Sequence, residues 1–363
     1  MRCRSFVMPT AETSPKRSRA GQTCWGAASR VLLMTAVWLS CYSIARADIL
    51  HGIGVMGDSA SIDSASYKWP VQLQTNRGLN FGGSGLPYDY AVGGATSSSL
   101  LTGKQHTKLA ADVTAGKVTL GILFIGNNDW LSSTTGQAIL LGTATPSAQT
   151  AFETSVVNNI KTAANTQFAA GIQGLLLGSV EDLTLTAAAQ SYLDPNDPET
   201  VAAAARMKAS VSNVNAQLLA YAQEKHIPFV DFYALGDAIT STGLKVGGVN
   251  INMTTSGSDP RNFWIDDIHP GIVGNAILGN MWMEAINIAY GTKLSLYTDQ
   301  QILTMAKLGG SYTGETFSTA YDLSDFIHFN AVPEPSTLAL GGVGALLLVA
   351  SRWRRSRVRP ARE

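Results

Sequence analysis

Ile49-Leu50-His51-Gly52-Ile53-Gly54-Val55-Met56-Gly57-Asp58-Ser59 is the stretch that decides the fold. A short apolar run that ends in glycine and two turn-forming polar residues reads as a buried strand, Ile49–Met56, closing on a tight turn that leads into a helix. Four further runs have the same character: Tyr88–Val92, Thr119–Ile125, Gly174–Gly178 and Pro228–Phe232. Helical patterns fill several gaps between them. Phe152, Val156, Ile160 and Ala164 share one helical face, Pro198 to Lys225 forms a long Ala-rich helix, and Ile272 to Tyr290 forms a last crossover just after Pro270. Strand-helix alternation predicts an α/β fold with a parallel sheet wound on both faces. In such sheets sites lie outside the carboxyl ends of the strands.

Four motifs fall at or after these strand ends. They are Gly57-Asp58-Ser59, Gly93-Gly94-Ala95-Thr96, Gly126-Asn127-Asn128-Asp129 and Asp266-Asp267-Ile268-His269-Pro270. Each alone is weak, since Gly-Asp-Ser is most often a turn and Asp-x-x-His also reads as a capped helix start with solvated charges. In this order they supply the parts of acyl transfer. The Ser59 hydroxyl needs a neighbouring base, and His269 is the strongest candidate. Asp266, three residues earlier, can turn back onto the ring Nδ1 and leave Nε2 facing the serine. Asn128 offers a side-chain amide, Gly94 a backbone N–H, and Ser59 its own N–H to a developing oxyanion. Asp267 reads instead as a helix-start charge. His51, His106, His226 and His328 read as surface or structurally satisfied histidines.

At these residues the chain resembles the SGNH hydrolases, also called the GDSL esterase/lipase family. Gly57-Asp58-Ser59 is similar to the first block, Ala91-Val92-Gly93-Gly94-Ala95-Thr96 to the second, Gly126-x-Asn128-Asp129 to the third and Asp266-x-x-His269-Pro270 to the fifth. The resemblance covers Ile49 to about Tyr290. It implies a flavodoxin-like three-layer α/β/α sandwich with a central parallel sheet. It also implies a catalytic Ser59, Asp266 and His269, an oxyanion hole of Ser59, Gly94 and Asn128, and no metal or cofactor. The wording of the second block points weakly to acyl esters.

Both ends read as targeting segments. Residues 1–47 carry a basic start, an apolar stretch from Val31 to Ile44 and then Ala45-Arg46-Ala47, the pattern of a secretory signal peptide with a small-x-small cleavage site. Residues 332–363 begin Val332-Pro333-Glu334-Pro335-Ser336-Thr337, continue in a Gly-rich apolar run from Leu338 to Ala350, and end in Arg352, Arg354, Arg355 and Arg357. That tail resembles the PEP-CTERM sorting signal of Gram-negative bacteria. The resemblance implies a transient stay in the inner membrane, cleavage by an exosortase and release to the cell surface or its polysaccharide matrix. A plain membrane tail is the alternative, although 13 apolar residues fall short of the roughly 20 a spanning helix needs.

Between the ends lies a hydrolase domain, 48–331. The ends hold 13 of the 26 basic residues and 3 of the 26 acidic ones, so the remainder carries 13 against 23, a net of −10. That balance argues against nucleic acid as a partner. All three cysteines, Cys3, Cys24 and Cys41, fall in the signal region, which leaves the domain no disulfide, thiol nucleophile or thiolate metal site. Ser132–Thr150, Leu183–Asp197 and Ala238–Phe263 exceed the minimal pattern and read as binding loops or lids, with Gly247-Gly248 able to turn a small hairpin. Residues 291–331 read as an appended helix and loop.

The leading expectation is a secreted serine esterase of broad lipase type, acting on a lipid, a small ester or an acetylated polysaccharide. An exopolysaccharide O-deacetylase of the same mechanism is a second reading. A non-catalytic matrix module is a third, disfavoured because Ser59, Asn128, Asp266 and His269 are all present.

Overall fold

The computed structural model describes residues 49–330. The signal-peptide and sorting-tail expectations therefore lie outside the described residues, apart from the start of the domain at Ile49.

Among the described residues eight strands follow one another: β1 (Ile53–Gly57), β2 (Leu120–Phe124), β3 (Gly174–Gly178), β4 (Phe229–Val230), β5 (Leu244–Val246), β6 (Val249–Ser256), β7 (Asn262–Trp264) and β8 (Ile327–His328). Every residue of β1, β2 and β3 is buried. Continuous apolar runs of this kind belong to strands covered on both faces. The sheet order is β1-β2-β3-β4-β8, with the first four parallel and β8 antiparallel to β4. Register is direct, with Ile53 opposite Leu120 and Leu120 opposite Gly174.

Successive side chains divide the core into two halves. Ile53, Val55, Leu120, Ile122, Phe124 and Leu176 enter one cluster, whereas Met56, Leu123, Ile125, Leu175 and Leu177 enter the other. This is the strand period of two read out as packing. The main covering helices are α1 (Trp69–Arg77), α2 (Gln105–Thr114), α3 (Pro146–Ala170), α4 (Pro198–Lys225) and α5 (Ile272–Tyr290). Trp69 and Leu73 of α1 pack with Trp282 of α5 on the first face. Leu109 of α2, Ile160 of α3 and Val211 of α4 pack on the second. The architecture is the expected three-layer α/β/α sandwich, its parallel sheet extended by one antiparallel edge strand.

Several local expectations change. Tyr88–Val92 runs beside β1 without forming a full strand: Asp89 bridges Val55, the Tyr90 and Val92 N–H groups donate to the Val55 and Gly57 carbonyls, and Asp89 Oδ1 accepts the Ala91 N–H. His51 lies before β1 rather than inside the strand. Pro228–Phe232 contains only two strand residues, because Asp231 caps the helix Phe232–Thr242 through the Ala234 N–H. Ser132–Thr150 is largely helical, with Thr134–Leu140 capped by Ser133 and α3 by Thr145. Those serines and threonines are caps rather than loop formers.

Gly247-Gly248 does turn a hairpin, between β5 and β6, with φ of 57° and 85° that suit glycine. The C-terminal segment is tied to that turn. Buried Asp299 accepts the N–H groups of Gly247, Thr316 and Phe317 at 2.6–2.7 Å, so residues 299–320 pack against the hairpin before β8 completes the sheet. Among the described residues no helix is long and apolar enough to cross a membrane.

Candidate active site

The β1 strand ends at Gly57, where nothing larger fits. A Cβ there would lie 2.6 Å from the Phe124 carbonyl oxygen of β2. Asp58 then closes a turn, its carbonyl accepting the N–H groups of Ser61 and Ile62 and its Oδ1 accepting that of Ala60 at 2.9 Å. Ser59 stands at the crest with its own N–H uncommitted within the described chain. No helix follows directly, contrary to the expected strand-to-helix turn. Ser61, Asp63, Ser64 and Ser66 favour local side-chain turns over helix, and α1 starts only at Trp69.

Ser59 Oγ lies 2.8 Å from His269 Nε2, across 210 residues of sequence. His269 Nδ1 lies 2.8 and 2.9 Å from the two carboxyl oxygens of Asp266. Asp266 Oδ1 also accepts the N–H groups of Ile268 and His269, which fixes the loop before α5. Burial works to raise the Asp266 pKa, but those two amides and the imidazole outweigh it and hold the carboxyl below its ordinary value. An ionised Asp266 keeps the ring proton on Nδ1 and leaves Nε2 to accept the serine hydroxyl. Asp267 is not at the helix start. It lies five residues before Ile272, with its carbonyl accepting the Ala188 N–H and its carboxylate 3.5 Å from Ser256 Oγ.

Asn128 sits in the first turn of Asn127–Ser132, just past β2. Its Nδ2 donates to the Ala95 carbonyl at 3.1 Å and to Asp58 Oδ2 at 3.3 Å. Asp129 accepts the N–H and hydroxyl of Ser97 at 2.8 and 2.7 Å, which draws the second and third motifs together. Gly94 has φ of 73° in the turn that Ala95 N–H closes onto the Val92 carbonyl. It is exposed and does not itself line the cleft, whereas Ser59, Asn128 and His269 do.

Two charged groups that sequence reasoning missed, Lys68 and Glu181, converge here with Asp58 of the first motif. Lys68, 3% exposed, donates from Nζ to the Ser59 carbonyl at 2.7 Å. Burial lowers its pKa, opposed by Asp266, Asp58 and Glu181. Asp58 is pushed up to about 6, chiefly by burial. Glu181 is pushed up to about 7, first by burial and then by the Asp58 charge. Glu181 follows β3 closely, so its place beyond a strand end was the available signal. Nothing near Lys68 announced its role. The other histidines lie elsewhere: His226 Nδ1 meets the Asn330 carbonyl at 3.2 Å and His328 Nε2 meets Asp231 at 3.3 Å.

The profile of the GDSL-like lipase/acylhydrolase family matches residues 53–282, from the first residue of β1 into α5. The chain belongs to this family. It is accordingly a hydrolase acting on ester bonds. Residues 331–355 match the PEP-CTERM protein-sorting motif. Among curated proteins none matches this GDSL-like hydrolase. Solved structures do. A GDSL-like lipase from Parabacteroides merdae is 16% identical with a TM-score of 0.38, covering 65% of this chain and 95% of its own. A lipase from a goat rumen metagenome is 13% identical with a TM-score of 0.42, covering 64% and 96%. An acetylxylan esterase from Geobacillus stearothermophilus is 15% identical with a TM-score of 0.36, covering 66% and 95%.

Proposed function

We propose that this GDSL-like hydrolase cleaves carboxylic esters through an acyl-enzyme formed on Ser59, with His269 as the base and Asp266 orienting it. The observation that carries this reading is the unbroken chain Ser59 Oγ to His269 Nε2 at 2.8 Å and His269 Nδ1 to Asp266 at 2.8 Å. His269 takes the hydroxyl proton as Oγ bonds the ester carbonyl carbon. It then gives that proton to the leaving alkoxide as the C–O bond breaks. Water repeats the sequence, with His269 again as base, and releases the acid. The oxyanion is held by the Ser59 N–H and the Asn128 amide, with Gly94 N–H joining from the neighbouring turn. Asn128 exchanges its long 3.3 Å bond to Asp58 for the oxyanion.

The sorting motif supports work outside the cytoplasm. The signal segment exports the chain, and an exosortase processes the tail. The hydrolase then acts at the surface or in the surrounding matrix of a Gram-negative cell.

Purified protein treated with a fluorophosphonate should gain one adduct on the peptide containing Ser59, and Ser59→Ala should neither label nor turn over an acetate ester. Labelling elsewhere, or near wild-type turnover by Ser59→Ala, would overturn the assignment.

A further inference from the structure

The cleft in front of Ser59 is narrow, with only about 20 Å³ of water-accessible space, close to one water's worth. Its lining includes Leu131, Leu183 and Ile268, but also Asn127 and Glu181. A carboxyl group in such a slot is costly unless something occupies its lone pairs.

Half of Glu181 is satisfied by the protein. Its Oε2 accepts Asn127 Nδ2 at 2.6 Å, and its own N–H donates to Asn127 Oδ1 at 3.1 Å. This reciprocal clamp fixes the side chain against the first residue of the helix that carries Asn128. The second oxygen, Oε1, has no hydrogen-bond partner among the described residues. Lys68 acts on Glu181 as a nearby charge, while its Nζ donates to the Ser59 carbonyl. The clamp is therefore complete within the protein on one side and open to the cleft on the other. No Trp, Tyr or Phe lines the cleft to form a cage around a quaternary ammonium.

We propose that Glu181, held by Asn127, is a specificity-determining residue whose open carboxyl oxygen accepts a hydroxyl of the substrate's alcohol part. The preferred substrates are then esters of polyols, such as acetylated glycerol or an acetylated sugar. This inference rests on the esterase reading above and narrows its substrate class. Burial raises the Glu181 pKa to about 7, so the group is an acceptor above that pH and can also donate below it. Either state bonds a hydroxyl.

The test compares glycerol monoacetate with propyl acetate, esters with the same acyl group that differ by the alcohol's hydroxyls, on the full-length protein in a pH-stat. The wild type should favour the glycerol ester in kcat/KM by about tenfold or more, the worth of one hydrogen bond to a charged group. In Glu181→Leu that ratio should fall towards one, mainly through KM. Glu181→Gln, which keeps the volume and the Asn127 bond, should keep an intermediate ratio, and it decides the matter if the leucine variant does not fold. A wild-type ratio near one overturns the proposal, as does a ratio unchanged in the variants. Acetylcholine outrunning the glycerol ester in a Glu181-dependent way would also overturn it, making Glu181 a cation reader. Failure of the wild type to hydrolyse either ester, with no Ser59-dependent activity, overturns the esterase reading itself.

Discussion

Asp58 Oδ2 lies 3.3 Å from Asn128 Nδ2, and this contact joins the end of β1 to the helix that follows β2. The residue beside the proposed nucleophile thus aims the amide proposed to meet the oxyanion. Ala95, next to Gly94, takes the other amide hydrogen at 3.1 Å. Three of the four motifs are linked through one side chain.

Asn128→Ala should lower kcat by roughly a hundredfold or more with a smaller change in KM, the usual loss for one oxyanion donor. Asp58→Ala should lower kcat in the same direction. Their double variant should fall short of the product, because both act through one amide. Strictly multiplicative losses in steady-state kinetics would separate the two residues.

Asp266→Asn should cost far more kcat than Asp267→Asn. Only Asp266 reaches His269 Nδ1, whereas the Asp267 carboxylate sits 3.5 Å from Ser256 Oγ. Equal losses, or the reverse order, would reassign the acid.

Burial raises the Asp58 pKa from 3.8 to about 6, so the folded state holds this proton more tightly than the unfolded chain. The resulting stability is fully present below about pH 4 and is lost as pH rises through 6. Wild-type stability relative to Asp58→Asn should therefore fall between pH 4 and 7, by about 3 kcal/mol at most. Urea titrations at pH 4, 5.5 and 7 check the sign. A difference that grows with pH would refute it.

Asp299→Ala should destabilise the fold by about 3 kcal/mol or more, since it strands the buried donors of Gly247, Thr316 and Phe317. Burial opposes ionisation of Asp299, but these amides outweigh it and hold its pKa low. The loss should therefore shrink as pH falls through the carboxylate range. Chemical denaturation of the two proteins side by side measures it.

Sorting can be read by mass. Intact mass and peptide mapping of the surface protein from its native host should lack the segment Arg352–Arg357 when the exosortase is present and retain it when the exosortase is deleted. Recovery of that segment on the surface protein from an intact host would leave a membrane-tailed hydrolase instead.

What the sequence determined by itself is whatever depends on neighbours along the chain. The apolar runs at Thr119–Ile125 and Gly174–Gly178 match β2 and β3 closely, and Pro198–Lys225 and Ile272–Tyr290 match α4 and α5 residue for residue. The Asp266-x-x-His269 spacing already contains its contact, because three residues of turn bring a carboxylate back to its own loop. Tertiary structure decided what two distant segments do to each other. Tyr88–Val92 has strand composition and does run along β1, but only Asp89 bridges it, at Val55. β8 is two residues long and carries too little pattern to be seen, and it exists because β4 offers an open edge. Ser59 and Glu181 reach one cleft because the parallel strands β1 and β3 deliver their carboxyl ends to one side of the sheet, whereas Lys68 and His269 approach Ser59 from the segments before α1 and α5. A lysine before a helix or a glutamate after a strand carries no local mark of that arrival, since the field it enters is made by residues far away in sequence.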